Sequence, residues 1–311
     1  MKAYPHWQNL SSKLEDATGD RLELLQEIKR EYRNWRQTIQ EIEGTEKEDI
    51  VALTESYNGY KNFIQEPRFD EFDRRGRLHS TALEEFQFHL FRNLVEEVVD
   101  DEVIESNIQG VVDSWGESPN EEKDEIVLEQ QESKYLGKGD NTLDSISVGN
   151  LIKEDDIDLA PSTTNQDFVI GREISTDGAN FFLDPDEGDY SFVVPAVIIE
   201  CKEYFDKTMT RRAIEEAAGL TDNLTFQPQF YLVSEYVKVN DLDLLAGSDV
   251  ENMYVLRKQQ QRDLEIRRDD PEWPEKRNDI DTELVWHLFE SVEKFLKEDS
   301  TVEILEKGRY Y

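Results

Sequence analysis

The stretch from Phe192 to Glu200 limits the fold more than any other part of this chain: its Val and Ile residues demand burial, yet it ends on a charge. The run Val193 to Ile199, interrupted by Pro195, reads as a buried strand. It falls far short of the ~20 apolar residues that span a bilayer, and no longer run occurs, so a membrane protein is not expected. Glu200-Cys201-Lys202 closes the strand. Residues two apart on a strand share a face, so Glu200 and Lys202 point one way and Cys201 the other.

Composition sets the setting for that strand. With 37% hydrophobic and 10% aromatic residues, 311 residues can build a core of one large or two ordinary domains. Against 35 Lys and Arg stand 71 Asp and Glu, a formal net charge of -36 spread along the whole chain. Self-repulsion on that scale is screened at molar salt, where the Debye length falls to ~3 Å, and the expectation is a halophilic protein of a salt-rich cytoplasm. The first residues, Met1 to Trp7, show no apolar secretory region, which again points to the cytoplasm. The single cysteine, Cys201, excludes an internal disulfide and a Cys-rich zinc site. Carboxylates and four histidines are left as metal ligands.

Apolar residues at Leu25, Ile28, Tyr32, Trp35, Ile39 and Ile42, then at Ile50, Leu53, Tyr57, Tyr60 and Ile64, predict helices over 20–43 and 46–65 paired as an intramolecular hairpin. A third helix is expected from Ser80 or Thr81, with Leu83, Phe86, Leu90, Leu94 and Val98 on one stripe. From Glu96 to Glu132 there are 14 carboxylates and one base, read as a solvated acidic insertion. Strands follow at Ser145–Val148, at Asp167–Gly171 opened by Asp167, and at Phe192–Glu200, with a long hairpin over 177–190 between the last two. A helix from about Lys207 to Ala218, stopped by Gly219, leads to the strand Gln229–Val233. Met253–Leu256 and a closing helix carrying Leu284, Leu288, Val292 and Phe295 complete the order. The fold class is α/β, a mixed sheet in the order αβββαβ flanked by helices, with an N-terminal helical hairpin. The expected divisions are a helical region 1–79, a core 80–260 with the acidic insertion 96–140, and a helical segment 261–311.

Phosphate loops, H-E-x-x-H helices, nucleophile elbows and dinucleotide fingerprints are all missing from the sequence. What remains is carboxylate chemistry. E-x-K occurs four times, but only Glu200-Cys201-Lys202 follows a buried strand and has an Asp-headed strand before it. Strand pairing would bring Asp167 beside Glu200, and two such carboxylates suit Mg²⁺. Asp189 competes with Asp167 as the first carboxylate. On the 80s helix, Glu85 shares a face with His89, Arg92 and Glu96 and reads as solvent-facing, whereas Glu84 borders Phe88 and Phe91. Glu84 is thus the candidate accessory contact, with a capping box Thr81-x-x-Glu84 as its structural alternative. Lys207, Arg211 and Arg212 open the helix after the site, where a helix N-terminus also favours phosphate. Arg257, Lys258, Arg262, Arg267 and Arg268 form a second basic group, and Arg68 to Arg77 a third.

These residues resemble a known superfamily. An Asp, a hairpin and E-x-K inside αβββαβ resemble the PD-(D/E)xK nuclease core. Closer still is a resemblance to Bpu-type type II restriction endonucleases, the BbvCI group. It rests on Gln166-Asp167-Phe168-Val169-Ile170-Gly171-Arg172, on Ile199-Glu200-Cys201-Lys202-Glu203-Tyr204-Phe205-Asp206-Lys207-Thr208-Met209, on Glu84-Glu85-Phe86 and on Val255-Leu256-Arg257-Lys258. It covers roughly residues 80–260; Gln166 stands where the superfamily pattern has Pro, and the gap from Asp167 to Glu200 is long. The resemblance implies Mg²⁺-dependent, sequence-specific hydrolysis of double-stranded DNA giving 5′-phosphates. Asp167 and Glu200 would hold the metal, Lys202 would orient or deprotonate water, and Glu84 would assist. DNA contacts would come from Lys207, Arg211, Arg212, Arg257 and Lys258. It further implies a second nuclease subunit or a homodimer, and a paired DNA methyltransferase. A structure-specific or repair nuclease on the same core, or a non-catalytic DNA-binding or assembly protein, are the alternatives.

Overall fold

In a computed structural model, the residues described are 4–69, 72, 78–98, 133–149, 158–175, 191–223, 227–238, 243–260 and 276–297. The chain opens with a helix that periodicity did not reveal, α1 (Pro5–Glu15), started by Pro5, whose missing N–H costs nothing in a first turn. Gly19, at φ 59, turns the chain into α2 (Asp20–Gln40), and α3 (Lys47–Ile64) starts from a capping box of Glu46 and Asp49. The hairpin packs within the chain: Trp35 stacks on Tyr60 at 5.0 Å between centroids, and Tyr57 on Phe86 at 4.2 Å.

Phe86 belongs to α4 (Leu78–Val98), which is buried on nearly every side between the hairpin and the sheet. It begins at Leu78, two to three residues earlier than expected, and the Thr81 hydroxyl donates to the Leu78 carbonyl. Thr81 is therefore inside the helix, and the capping box at Thr81-x-x-Glu84 is not formed. The expected acidic insertion is also shorter at its ends. Its first residues continue α4 to Val98, and β1 begins at Ser133; the remainder lies outside the described residues.

Five strands form one sheet in the order β1-β2-β3-β4-β5: Ser133–Gly149, Asp158–Ser175, Ser191–Phe205, Gln229–Val237 and Val250–Gln260. β1, β2 and β3 are antiparallel neighbours, while β3, β4 and β5 run parallel. The β3–β4 crossover is α5 (Lys207–Asn223), and α6 (Thr282–Leu296) follows β5. The expected αβββαβ order is present, extended by a fifth strand. Two expectations shift. Asp167 lies within β2 and does not open it, and α5 runs on through Gly219 because Leu220 buries a further turn against the sheet.

Alternation along β3 divides the core. Val197, Ile199 and Cys201 join α1–α4 and α6 in one apolar cluster, while Ile198 joins Ala213, Ala217 and Leu220 of α5 in the other. Pro195 cannot donate to a ladder, and the β2–β3 register shifts beside it, between the pairs Ile170↔Val197 and Gly171↔Pro195. Gly171 is needed there, because a Cβ would lie 2.3 Å from the Val194 carbonyl oxygen.

Candidate active site

Beyond the bulge the β2–β3 ladder is regular up to Phe168↔Ile199, which sets Asp167 opposite Glu200. There the pairing changes character. The backbone N–H of Cys201 is received by Asp167 Oδ2 at 3.0 Å, a side chain in the place of a backbone carbonyl. The same oxygen accepts from Lys202 Nζ at 2.5 Å, and Lys202 Nζ lies 2.5 Å from Glu200 Oε1. Two carboxylates from neighbouring strands thus converge on one ammonium, each largely sheltered from solvent.

Two negative groups face one positive one, and the charge balance shows in their proton affinities. Burial, then the nearby Asp167 carboxylate, pushes the Glu200 pKa up to about 7, even with Lys202 pulling it down. Burial works against the Lys202 ammonium, but Asp167 and Glu200 together outweigh it and raise its pKa. A site of hard oxygen donors, short of positive charge, fits a divalent cation such as Mg²⁺. Among the described residues no group of three or more His, Cys, Asp or Glu side chains converges at ligand distance. The protein's direct share would be Asp167 and Glu200, with water, phosphate or a backbone carbonyl such as that of Cys201 completing the shell.

Around this pair the expected residues divide. Glu84 is 6% exposed on α4, beside Cys201, and so lies on the face of β3 opposite to Glu200 and Lys202 and is not brought together with them. Cys201 is fully buried and its thiol pKa is driven up by burial, which fits a small core residue. Glu85 corrects its expectation: it is not solvent-facing but fully buried. Its carboxylate accepts the backbone N–H groups of His6 and Trp7, in the first turn of α1, and the Tyr32 hydroxyl at 2.5 Å. Helix α1 covers that face and supplies the unpaired donors that hold a carboxylate there.

Lys207, Arg211 and Arg212 are exposed on the first turns of α5. The backbone N–H groups of Thr208 and Met209 are already bound to Asp206 Oδ1, each at 2.8 Å, so the cations and not the helix end are what a phosphate would meet. Arg257 is a correction. It is fully buried, its Nε 2.9 Å from Glu235 and its Nη1 2.6 Å from the Asn278 carbonyl, and it faces no solvent from which DNA could approach. Lys258 is exposed, paired with Asp281, and holds the one positive φ outside glycine among the described residues, 51°. Arg68 pairs with Glu27 and Glu66. Asp189, Arg262, Arg267 and Arg268, and Arg74, Arg75 and Arg77, lie outside the described residues.

Two polar groups were missed. Gln166, next to Asp167, donates to Glu216 on α5 at 2.9 Å, a pairing across 50 residues that no local pattern signals. Glu235 is the one charged residue of β4 and fully buried, a sequence signal that asked for a buried cation as partner.

A model of the Bpu10I restriction endonuclease family matches residues 141–310, a span that includes Asp167, Glu200 and Lys202. Among solved structures, a chain of the native BbvCI A2B2 tetramer shares the fold: TM-score 0.57, 15% identity, 94% of this chain and 96% of that one covered. A comparison with curated proteins finds no match. No helix among the described residues is long and apolar enough to cross a membrane. With more than half its length matched, this chain belongs to the Bpu10I restriction endonuclease family.

Proposed function

We propose that the chain is a subunit of a type II restriction endonuclease that hydrolyses double-stranded DNA at a defined sequence, with Mg²⁺ held by Asp167 and Glu200. The observation that carries this reading is the convergence of Asp167 and Glu200 on Lys202 Nζ where β2 and β3 change their pairing. When bound, the cation polarises the scissile phosphate and acidifies its water. Asp167 is oriented for that role by the Cys201 N–H, which fixes its carboxylate against β3. Lys202 carries a positive charge to the phosphorane-like transition state and orients the attacking water, because its two carboxylates keep it protonated. Water adds to phosphorus as the bond to the 3′ oxygen breaks, leaving a 5′-phosphate and a 3′-hydroxyl. Glu84, on the Cys201 face of β3, would act on the centre only through the strand, while Lys207, Arg211, Arg212 and Lys258 hold the DNA backbone.

The neighbouring BbvCI assembly contains two kinds of chain, which supports a second nuclease subunit here, in place of a homodimer. A nuclease of this kind needs a companion DNA methyltransferase to protect its own genome. The charge of -36 favours work in a salt-rich cytoplasm. Incubating plasmid DNA with the chain and Mg²⁺, then sequencing the ends, tests the reading. One recurring site with 5′-phosphate ends is expected; cuts at random or only at branches would point to a repair nuclease, and no cleavage by a folded chain, alone or with its partner, to an assembly protein.

A further inference from the structure

A chain of net charge -36 repels DNA, so a duplex can touch it only where carboxylates are absent. Helix α2 has such a face. Its carboxylates, Asp20, Glu23, Glu27 and Glu31, lie on one flank, and none occurs from Tyr32 to Gln40. Lys29, Arg33 and Arg36 follow one another at helical spacing and make a stripe on the other flank, with Arg30 beside it. Arg30 and Arg33 are exposed and Lys29 is half-buried. Among the described residues no carboxylate comes within ion-pair distance of these three. Glu27, one turn before Arg30, pairs with Arg68 instead, and Glu31 accepts from Asn34. The cations Lys47, Lys258 and Lys297, by contrast, each hold a carboxylate.

Rings take the place of carboxylates on this face. Lys29 Nζ lies 5.4 Å from the centre of a Trp7 ring that stacks on Tyr32, and the Arg36 guanidinium lies 4.6 Å from the centre of the Tyr4 ring. A ring fixes the position of a cation and leaves its charge uncancelled. Burial and then the neighbouring Arg33 lower the Lys29 pKa, so the stripe gathers like charge that an anion would relieve. We infer that this face of α2, framed by α1, is a second phosphate-binding surface for duplex DNA, outside the cleavage site. Both helices pack in the apolar cluster on the Cys201 face of β3, whereas Glu200 and Lys202 point the other way, so the phosphates met here are not the scissile ones. From Lys29 to Arg36 the stripe runs about 10 Å along the helix, and duplex DNA carries a charge about every 1.7 Å of its axis, enough to give Lys29, Arg30 and Arg33 a phosphate each. This rests on the reading of the chain as a DNA-cutting enzyme.

The test is the salt dependence of binding between the full chain and mixed-sequence duplex DNA, read by fluorescence anisotropy in EDTA so that nothing is cut. Each variant is also melted and its oligomeric state measured by sedimentation. Arg30→Gln/Arg33→Gln should flatten the slope of log affinity against log salt by about 1.8, which is about 0.9 for each phosphate lost, while melting close to the parent. Adding Lys29→Gln should flatten it by about 0.9 more. Arg30→Lys/Arg33→Lys, which keeps both charges, should keep the parent's slope. An unchanged slope in the double Gln variant overturns the inference, and overturns it alone if the parent binds DNA. The same slope with an altered oligomeric state would make the face a contact between protein chains. Equal flattening in the Lys and Gln double variants would show that the arginines serve the fold and not a phosphate, and would overturn it as well. No binding of DNA by the parent, alone or with its partner subunit, would remove the nuclease reading and this inference with it.

Discussion

Replacing Glu235 by Gln should destabilise the fold more than replacing either cation that it holds. Glu235, Lys61 and Arg257 are all fully buried, and the single carboxylate meets Lys61 Nζ at 2.6 Å and Arg257 Nε at 2.9 Å. Gln preserves the shape and leaves two desolvated cations facing each other with no anion between them. Removing one partner of a buried pair costs about 3–5 kcal/mol, and here the change belongs at the upper end. Arg257→Met leaves a neutral Lys61–Glu235 pair and loses charge-assisted hydrogen bonds, about 1.5–3 kcal/mol. At about 2.1 cal/mol/K of unfolding entropy per residue, each kcal/mol moves the melting temperature of a chain this long by about 1.5 °C. Glu235→Gln should therefore melt about 5–8 °C below the parent and Arg257→Met about 2–5 °C below, with the double variant more stable than Glu235→Gln alone. Thermal melts at neutral pH and molar KCl, followed by circular dichroism, read all three. A Glu235→Gln protein that melts with the parent, or an Arg257→Met protein that loses more, would mean that the carboxylate is not what holds the two cations together. Loss of DNA affinity in Arg257→Met at an unchanged melting temperature would return Arg257 to the DNA face.

Burial holds the Glu85 pKa up to about 7 against the bonds it receives from Tyr32 and α1. The folded chain binds that proton more tightly than the unfolded one, so the stability it contributes is full below about pH 4.5 and is lost as pH rises to about 7, on the order of 3 kcal/mol. Melts of Glu85→Gln between pH 5 and 8 should lack this decline, and an unchanged slope would contradict the assignment. Glu235 has the opposite sign: burial raises its pKa, but Lys61 and Arg257 lower it further, so its contribution persists above the ordinary carboxylate range and fades in acid. If Lys207, Arg211 and Arg212 each neutralise one phosphate, each Ala variant should flatten the slope of log affinity against log salt by about 0.9; a slope unaltered in all three would remove them from the DNA face. Melting temperature should rise from 0.1 M to molar KCl as the charge of -36 is screened, and indifference to salt would end the halophilic reading.

The order of elements was legible because each main signal is local: the apolar run closed by Glu200-Cys201-Lys202, the stripes of α2, α3 and α4, and the strand after α5. The pairing of Asp167 with Glu200 was legible too, because an antiparallel hairpin leaves few registers that bury Phe168, Ile170, Val197 and Ile199. Burial of charge was not. Arg257 and Lys258 look alike as neighbouring bases, yet a bulge between the pairs Ser234↔Val255 and Tyr236↔Gln259 accompanies one turned onto Glu235 and the other into solvent. Glu85 was misjudged because the face it shares with His89 and Arg92 is polar, and nothing near it in sequence shows that α1, nearly eighty residues earlier, covers that face. Gln166 and Glu216 meet only through the crossover that lays α5 on the sheet.

If Asp167, Glu200 and Lys202 form one Mg²⁺-dependent nuclease centre, plasmid cleavage by the parent and by Lys202→Ala will show it. In molar KCl with Mg²⁺ the parent should give discrete fragments, or nicked circles if a second subunit is needed for the other strand. EDTA should abolish them, and Lys202→Ala should slow cleavage by about 10²-fold or more, while melting close to the parent. Cleavage at parental rate by Lys202→Ala, or undiminished cleavage in EDTA, would mean that these three residues are not a Mg²⁺-dependent centre.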